Sequence, residues 1–250
     1  MMQDLHVHTT FSDGANTPEQ MVRAALEKGL ERIGFSDHSY TFFDESYCMR
    51  QENIPAYQAC ISELKEKYKG NIEVLCGIEQ DFYSAEPATG YDYVIGSVHY
   101  LKLDEQYVPV DETSDHLVAA AEKYFDGDIY GLVECYFETV AKVVERTDCD
   151  IIGHLDLITK FQGQTPLFDT AHPRYVNASR RAAERLLQSG KPFEINTSPL
   201  FRGALSHPYP APSLLEYLRE RGAKFILSGD CHNAEMLCFE FDRMKSLLSL

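Results

Sequence analysis

Apolar runs of four to eight residues alternate along the chain with longer amphipathic stretches. The runs at 2–8, 31–37, 72–79, 92–99, 149–155, 192–197 and 224–230 are short, rich in Ile, Val and Phe, and bounded by turn residues, which predicts strands. Helices are predicted between them. "NTPEQMVRAALEKG" offers a cap at Asn16 or Thr17, Pro18 in the first turn and Gly29 as a stop. "PAYQACISELKEKYKG" repeats that logic and ends at Gly70. Amphipathic periodicity also predicts helices over 129–146, 173–189, 211–221 and 233–249.

Strand alternating with helix predicts parallel βαβ units, closed into a distorted barrel with fewer than eight strands. A doubly wound open sheet is the alternative, but no GxGxxG follows the first strand, so a dinucleotide site has no support. The segments after several strands, 39–51, 80–91, 100–115, 156–172 and 198–210, are long and read as irregular. In α/β barrels the loops at the carboxyl ends of the strands build the active site. No linker or repeat divides the chain, so residues 1–250 are expected to form one domain.

The histidines point to a chemistry. Six of the nine, His6, His8, His38, His99, His154 and His232, stand at or just past predicted strand ends. Asp4, Asp13, Asp37, Glu79, Asp156 and Asp230 accompany them in "DLHVHTTFSD", "FSDH", "CGIEQD", "GHLD" and "SGDCH". Strand side chains alternate, so His6 and His8 share a face and Val7 takes the other; Asp230 and His232 share a face opposite Cys231. Barrel strand ends converge on one mouth. Imidazoles and carboxylates gathered there suit Zn, Mn or Fe. The other histidines read differently: His116 as a helical surface residue, His172 as a cap before Pro173, and His207 as a residue of a mouth loop.

Charge and cysteine content narrow the partners. A net charge of -16 argues against a broad nucleic-acid or anionic-membrane surface. It leaves room for an anionic small molecule, because bound cations reverse the local field. Seven cysteines without a CxxC predict a reduced, cytoplasmic protein with free thiols. No signal peptide or apolar run of membrane-spanning length is read in the chain.

The order HxH, SDG, DH, GIE, GSVH, GHLD, GDxH resembles the PHP superfamily of polymerase-associated domains and histidinol phosphatases. "YDYVIGSVHYL", "DCDIIGHLDLITKF", "FEINTSPLFRG" and "FILSGDCH" are similar to its monofunctional histidinol-phosphate phosphatases. The resemblance implies a distorted (β/α)7 TIM-like barrel holding three divalent metal ions. Carried over, His6, His8, Glu79 and Asp230 hold the first ion. Glu79 bridges to a second held by His99 and His154, and Asp13, His38 and His232 hold the third. It implies Asp4 and Asp37 as groups that orient ligand imidazoles.

The implied activity is hydrolysis of L-histidinol phosphate, a small-molecule phosphomonoester, by a hydroxide bridging two metals, with Glu79 and Asp230 in the catalytic centre. Asp156 is a candidate proton relay to the leaving alkoxide. Arg202 and Lys160, both after strand ends, are candidate phosphate contacts, and Arg50 is a third. Glu194 and Asn196, on one strand face, are candidates for the substrate amine, with His207 as a further contact. Tyr47, Tyr83 and Tyr100 could flank an imidazole. The competing readings are a PHP enzyme for another phosphoester such as a nucleotide, a metal-binding domain without activity, and a metallo-amidohydrolase.

Overall fold

The computed structural model describes residues 1–248. Its strands are β1 (Gln3–Asp4), β2 (Arg32–Phe35), β3 (Glu73–Asp81), β4 (Tyr93–Ser97), β5 (Tyr100–Leu103), β6 (Gln106–Pro109), β7 (Ile151–Ile152), β8 (Phe193–Asn196) and β9 (Phe225–Ser228). Seven of them form one parallel sheet in the order β1-β2-β3-β4-β7-β8-β9. Order in the sheet follows order in the chain, as in a barrel wound one strand at a time. The sheet closes past β1 and β9. Cys231 N donates to His6 O at 2.9 Å, and His8 N donates to Cys231 O at 2.9 Å, pairing Val7 with Cys231. The result is the seven-stranded barrel expected, and the open-sheet alternative falls.

The helices are α1 (Pro18–Glu27), α2 (Ile54–Lys67), α3 (Ser114–Tyr124), α4 (Ile129–Val140), α5 (Val143–Thr147), α6 (Pro173–Leu187), α7 (Ser198–Phe201), α8 (Pro212–Glu220) and α9 (Phe241–Leu248). Thr17 caps α1 in a reciprocal capping box with Gln20. His172 caps α6, its Nδ1 accepting from Arg174 N at 3.2 Å. Outward-facing strand residues pack on these helices: Val7, Ile33, Phe35 and Cys231 join Met21, Val22, Tyr57 and Ile61 in one buried cluster. Inside the barrel, Leu5, Tyr93, Ile95 and Ile151 plug the end opposite the site. Tyr93 donates to Leu5 O at 2.6 Å, and its ring occupies the space that a Cβ on Gly34 or Gly77 would need.

Three expectations change. The segment 100–115 is ordered: β5 and β6 pair antiparallel across a two-residue turn, Leu103 opposite Gln106. That turn is Asp104–Glu105, with Asp104 at φ 51°, and it lacks the glycine that usually marks such a hairpin. The predicted helix 129–146 breaks into α4 and α5 where Lys142 leaves helical geometry at φ -109°, ψ 1°. The predicted helix 233–249 resolves into a 3-10 turn at Ala234–Met236 and α9, separated by left-handed Cys238 and Glu240; position 249 lies outside the described residues. His116 lies on α3, its side chain 42% exposed.

Candidate metal centre

The carboxyl ends of the parallel strands surround a cavity of about 550 Å³. Behind the lining residues His38, His99, His154 and Asp230, the side chains of His6, His8 and Glu79 are buried, 0–1% exposed. Glu79 is the centre of the arrangement. Its Oε2 lies 3.3 Å from His6 Nε2, 3.6 Å from His8 Nε2 and 2.8 Å from His38 Nδ1. Its Oε1 lies 3.0 Å from His154 Nε2 and 3.4 Å from His99 Nε2. Asp230 Oδ1 approaches His8 Nε2 at 3.3 Å and His6 Nε2 at 3.8 Å. Asp13 takes the outer side, 3.1 Å from His232 Nε2 and 3.7 Å from His38 Nε2.

The donor atoms converge in sets that could each hold an ion: His6, His8 and Glu79; His38, Glu79 and His99; His8, Asp13, His38 and His232. The sets share members, so His8 and His38 stand between sites and not wholly in one. His6 Nε2, both ring nitrogens of His8 and Glu79 Oε2 are buried without a hydrogen-bond partner. Buried polar atoms are normally paired, and unpaired ones this concentrated mark the place of an ion. All are nitrogen or oxygen donors of the kind that suits Zn, Mn or Fe. The residues present fit divalent metal ions.

The electrostatics reflect this crowding of carboxylates and imidazoles. Burial raises the Glu79 carboxyl, but His6, His38, His99 and His154 outweigh it and hold Glu79 well below the usual carboxylate range. Burial likewise raises Asp230, and His6, His8, His232 and Arg202 bring it well down. His8 is pushed down to about 3 by burial and by the neighbouring His232 and His38, so its imidazole is neutral, the form that ligates.

The groups behind the imidazoles are not those expected. Glu194 and Asn196 do not reach the cavity. Glu194 Oε1 sits 2.5 Å from His6 Nδ1 and also accepts from Ser228 Oγ, while its Oε2 accepts from His154 N at 2.8 Å. Asn196 Nδ2 donates to Glu194 Oε2 and Asp230 Oδ2 at 3.2 and 3.1 Å, and its Oδ1 accepts from Ser198 N. With their polar atoms engaged inside the protein, neither can take a substrate amine. Asp81 stands behind His99, 3.3 Å from its Nδ1. Asp81 is two residues past Glu79 on the same strand face, a signal that alternation could have supplied.

Asp4 and Asp37 hold backbone, not rings. Asp4 accepts from Gly229 N, His6 N, Cys238 N and Cys231 Sγ. Asp37 accepts from the backbone and hydroxyls of Thr9 and Ser12, fixing the turn that carries Asp13. Asp156 also departs from expectation. It is fully buried behind the cavity lining, and its Oδ2 accepts from Ala211 N at 2.8 Å and Tyr175 Oη at 3.4 Å, so it holds the backbone at Ala211.

The cavity wall carries Arg202 and Lys160. Arg202 Nη2 lies 2.9 Å from His232 Nδ1, and Lys160 Nζ donates to Asp111 Oδ2 at 3.1 Å. Tyr47 and Tyr100 also line the wall, stacked with ring centroids 6.0 Å apart. Tyr83 lies outside, its hydroxyl accepting from Lys102 N. Arg50 and His207 do not line the cavity: Arg50 is exposed ahead of α2, and His207 Nδ1 turns to Pro208 O at 2.9 Å. Asp111, missed in the sequence because 100–115 read as a plain loop, faces the cavity.

Comparison with known proteins places this geometry. The family model described as PHP domain matches residues 4–198. A Deinococcus radiodurans protein named "Probable histidinol-phosphatase" is 32% identical over 256 residues, spanning 98% of this chain and 92% of its own length. A Bacillus subtilis protein named histidinol-phosphatase is 27% identical over 259 residues, spanning 93% of this chain and 94% of its own. The crystal structure of histidinol phosphate phosphatase from Lactococcus lactis, complexed with Zn, L-histidinol and phosphate, shares the fold at TM-score 0.73. It is 23% identical, with 99% of this chain and 92% of that one covered. A histidine-lined barrel mouth, a family match over most of the chain and a relative aligned nearly end to end lead to one assignment: this chain belongs to the PHP domain family.

Proposed function

We propose that this chain is a metal-dependent phosphatase that hydrolyses L-histidinol phosphate to L-histidinol and phosphate. The observation that carries the reading is Glu79, whose two oxygens face two different sets of imidazoles beneath a cavity walled by Arg202 and Lys160. His6, His8, Glu79 and Asp230 would hold one divalent ion, Glu79 with His99 and His154 a second, and Asp13, His38 and His232 a third. When bound, such ions supply hydroxide at neutral pH and neutralise phosphoryl charge.

The chain's own residues supply the rest. Arg202 presents a planar fork to two phosphoryl oxygens, and Lys160 adds a point charge. Tyr47 and Tyr100 offer flat faces of the size of an imidazole ring on the same wall. The substrate name comes from the full-length relatives, 32% and 27% identical, that are named for this activity. All seven cysteines are free, which suits a reducing compartment such as the cytoplasm. Among the described residues no helix is long and apolar enough to cross a membrane.

The test compares kcat/KM of the metal-loaded protein for L-histidinol phosphate with a panel of nucleotides, sugar phosphates and a phosphodiester. A preference for histidinol phosphate of at least tenfold is expected. Equal or better turnover of a nucleotide would move the substrate assignment, and no hydrolysis at full metal loading would sink the phosphatase reading.

A further inference from the structure

We propose that Asp111 is the carboxylate that receives the substrate's ammonium group, an inference that rests on the phosphatase reading above. Asp111 selects phosphomonoesters whose amine and ester oxygen sit on adjacent carbons, while Lys160 beside it faces the phosphate.

Five acidic residues line the cavity: Asp13, Asp44, Asp111, Glu112 and Asp230. Asp13 and Asp230 stand among the imidazoles. Asp44 is committed within its own loop. Its Oδ1 accepts from Ser46 N and Oγ at 3.0 and 2.6 Å, and its Oδ2 accepts from Tyr100 Oη at 2.6 Å. Glu112 is 62% exposed and pairs outward with His116 at 3.3 Å. Glu194, the acid expected to bind the amine, is sealed behind His6. Asp111 remains. Its side chain is 27% exposed, its Oδ2 accepts from Lys160, and its Oδ1 has no hydrogen-bond partner among the described residues.

The fold aims this residue. The β5–β6 hairpin turns the chain back so that Val110 N donates to His99 O at 2.8 Å, and Val110 is fully buried. Asp111 follows at once, pinned beside His99 at the edge of the metal-binding floor. Burial raises its carboxyl, but Lys160, His99 and His154 hold it below the ordinary carboxylate range, so it carries charge.

Lys160 and Asp111 are a cation and an anion in contact. A 1,2-amino alcohol phosphate presents the complementary pair, an anion and a cation joined by an O–C–C–N link. Its phosphate faces the metal sites and Lys160, and its ammonium reaches Asp111 Oδ1. Two cations on one carboxylate repel each other, and the phosphate of the same substrate, close to both, offsets that repulsion. An ester without the amine leaves Oδ1 to water and forgoes a charge-assisted hydrogen bond.

The experiment uses the metal-loaded full chain, with L-histidinol phosphate and its des-amino analogue, imidazolylpropyl phosphate, as a matched pair. The near-isosteric Asp111→Asn variant should lower kcat/KM for the aminated ester about 10- to 100-fold, chiefly through KM. The loss should be at least tenfold greater than for the des-amino ester. Asp111→Glu, which keeps the charge, should retain part of the preference. Lys160→Met should lower both esters by similar factors. If Asp111→Asn lowers both esters in the same proportion, Asp111 acts only through Lys160 and the proposal is overturned. It is also overturned if Asp111→Asn keeps the wild-type preference. A wild-type protein that hydrolyses neither ester while hydrolysing another phosphoester overturns the histidinol-phosphate assignment, and one that hydrolyses no phosphoester overturns the phosphatase reading; both are distinct from the Asp111 outcomes.

Discussion

Glu194 illustrates how much the neighbours of a charged side chain decide. An acid on a strand leading to an active mouth is a natural candidate for a cationic substrate. Here it lies 1% exposed behind His6, with Oε1 2.5 Å from His6 Nδ1. A carboxylate in that position fixes the ring and raises the basicity of the opposite nitrogen. Glu194→Gln keeps the volume and removes the charge. It should weaken metal affinity about 10- to 100-fold, with KM for substrate little changed once metal is saturating. A competition titration against a chelator, paired with steady-state kinetics, measures both. A raised KM with metal affinity intact would restore Glu194 to the substrate.

At the scale of elements, the seam between the first and last strands is the point to press. The regular pairing of β1 spans two residues, Gln3 and Asp4, and the ring closes beyond it at Val7 and Cys231. Asp4 holds this seam by accepting from Gly229 N at 3.0 Å and Cys238 N at 3.2 Å, both beyond β9, and from His6 N at 3.3 Å. Asp4→Ala strands buried N–H groups, each costing about 1–3 kcal/mol and together less than their sum. Urea unfolding of the metal-free protein should show a loss of about 3 kcal/mol. An unchanged midpoint would mean that the backbone pairing and packing of Val7 with Cys231 hold the seam without Asp4.

At the scale of the molecule, the mouth of the barrel gathers six histidines and three acids into a mostly buried space. Ions bound only to the folded chain stabilise it by mass action, about 2.7 kcal/mol for one site at a hundred times its Kd. In a chain of 250 residues that corresponds to roughly 5–10 °C in melting temperature. Chelation should lower the Tm by at least that amount, and adding back Zn or Mn should restore it together with activity. A melting temperature indifferent to chelator would argue that the cluster binds no structural ion.

Much of this arrangement is legible in the amino-acid sequence. Two-residue alternation put His6 and His8 on one face and sent Val7 into the helical layer. Parallel winding followed from strand–helix alternation, and it gathered the strand-end histidines at one mouth. Those are local rules, and local sequence carries them. The hairpin at 100–109 was hidden because Asp104–Glu105 lacks a glycine. The roles of Glu194, Asn196, Asp156 and Asp111 were not legible at all. Whether a carboxylate meets a ring nitrogen, a backbone N–H or an open cavity depends on groups distant in the chain, such as His6 against Glu194, 188 positions apart, or Lys160 against Asp111, 49 apart. Residue types and their spacing settle which chemistry the barrel mouth can hold. Which of its acids face the cavity and which are consumed in holding the others in place depends on contacts made across the closed sheet, and these exist only in the folded chain.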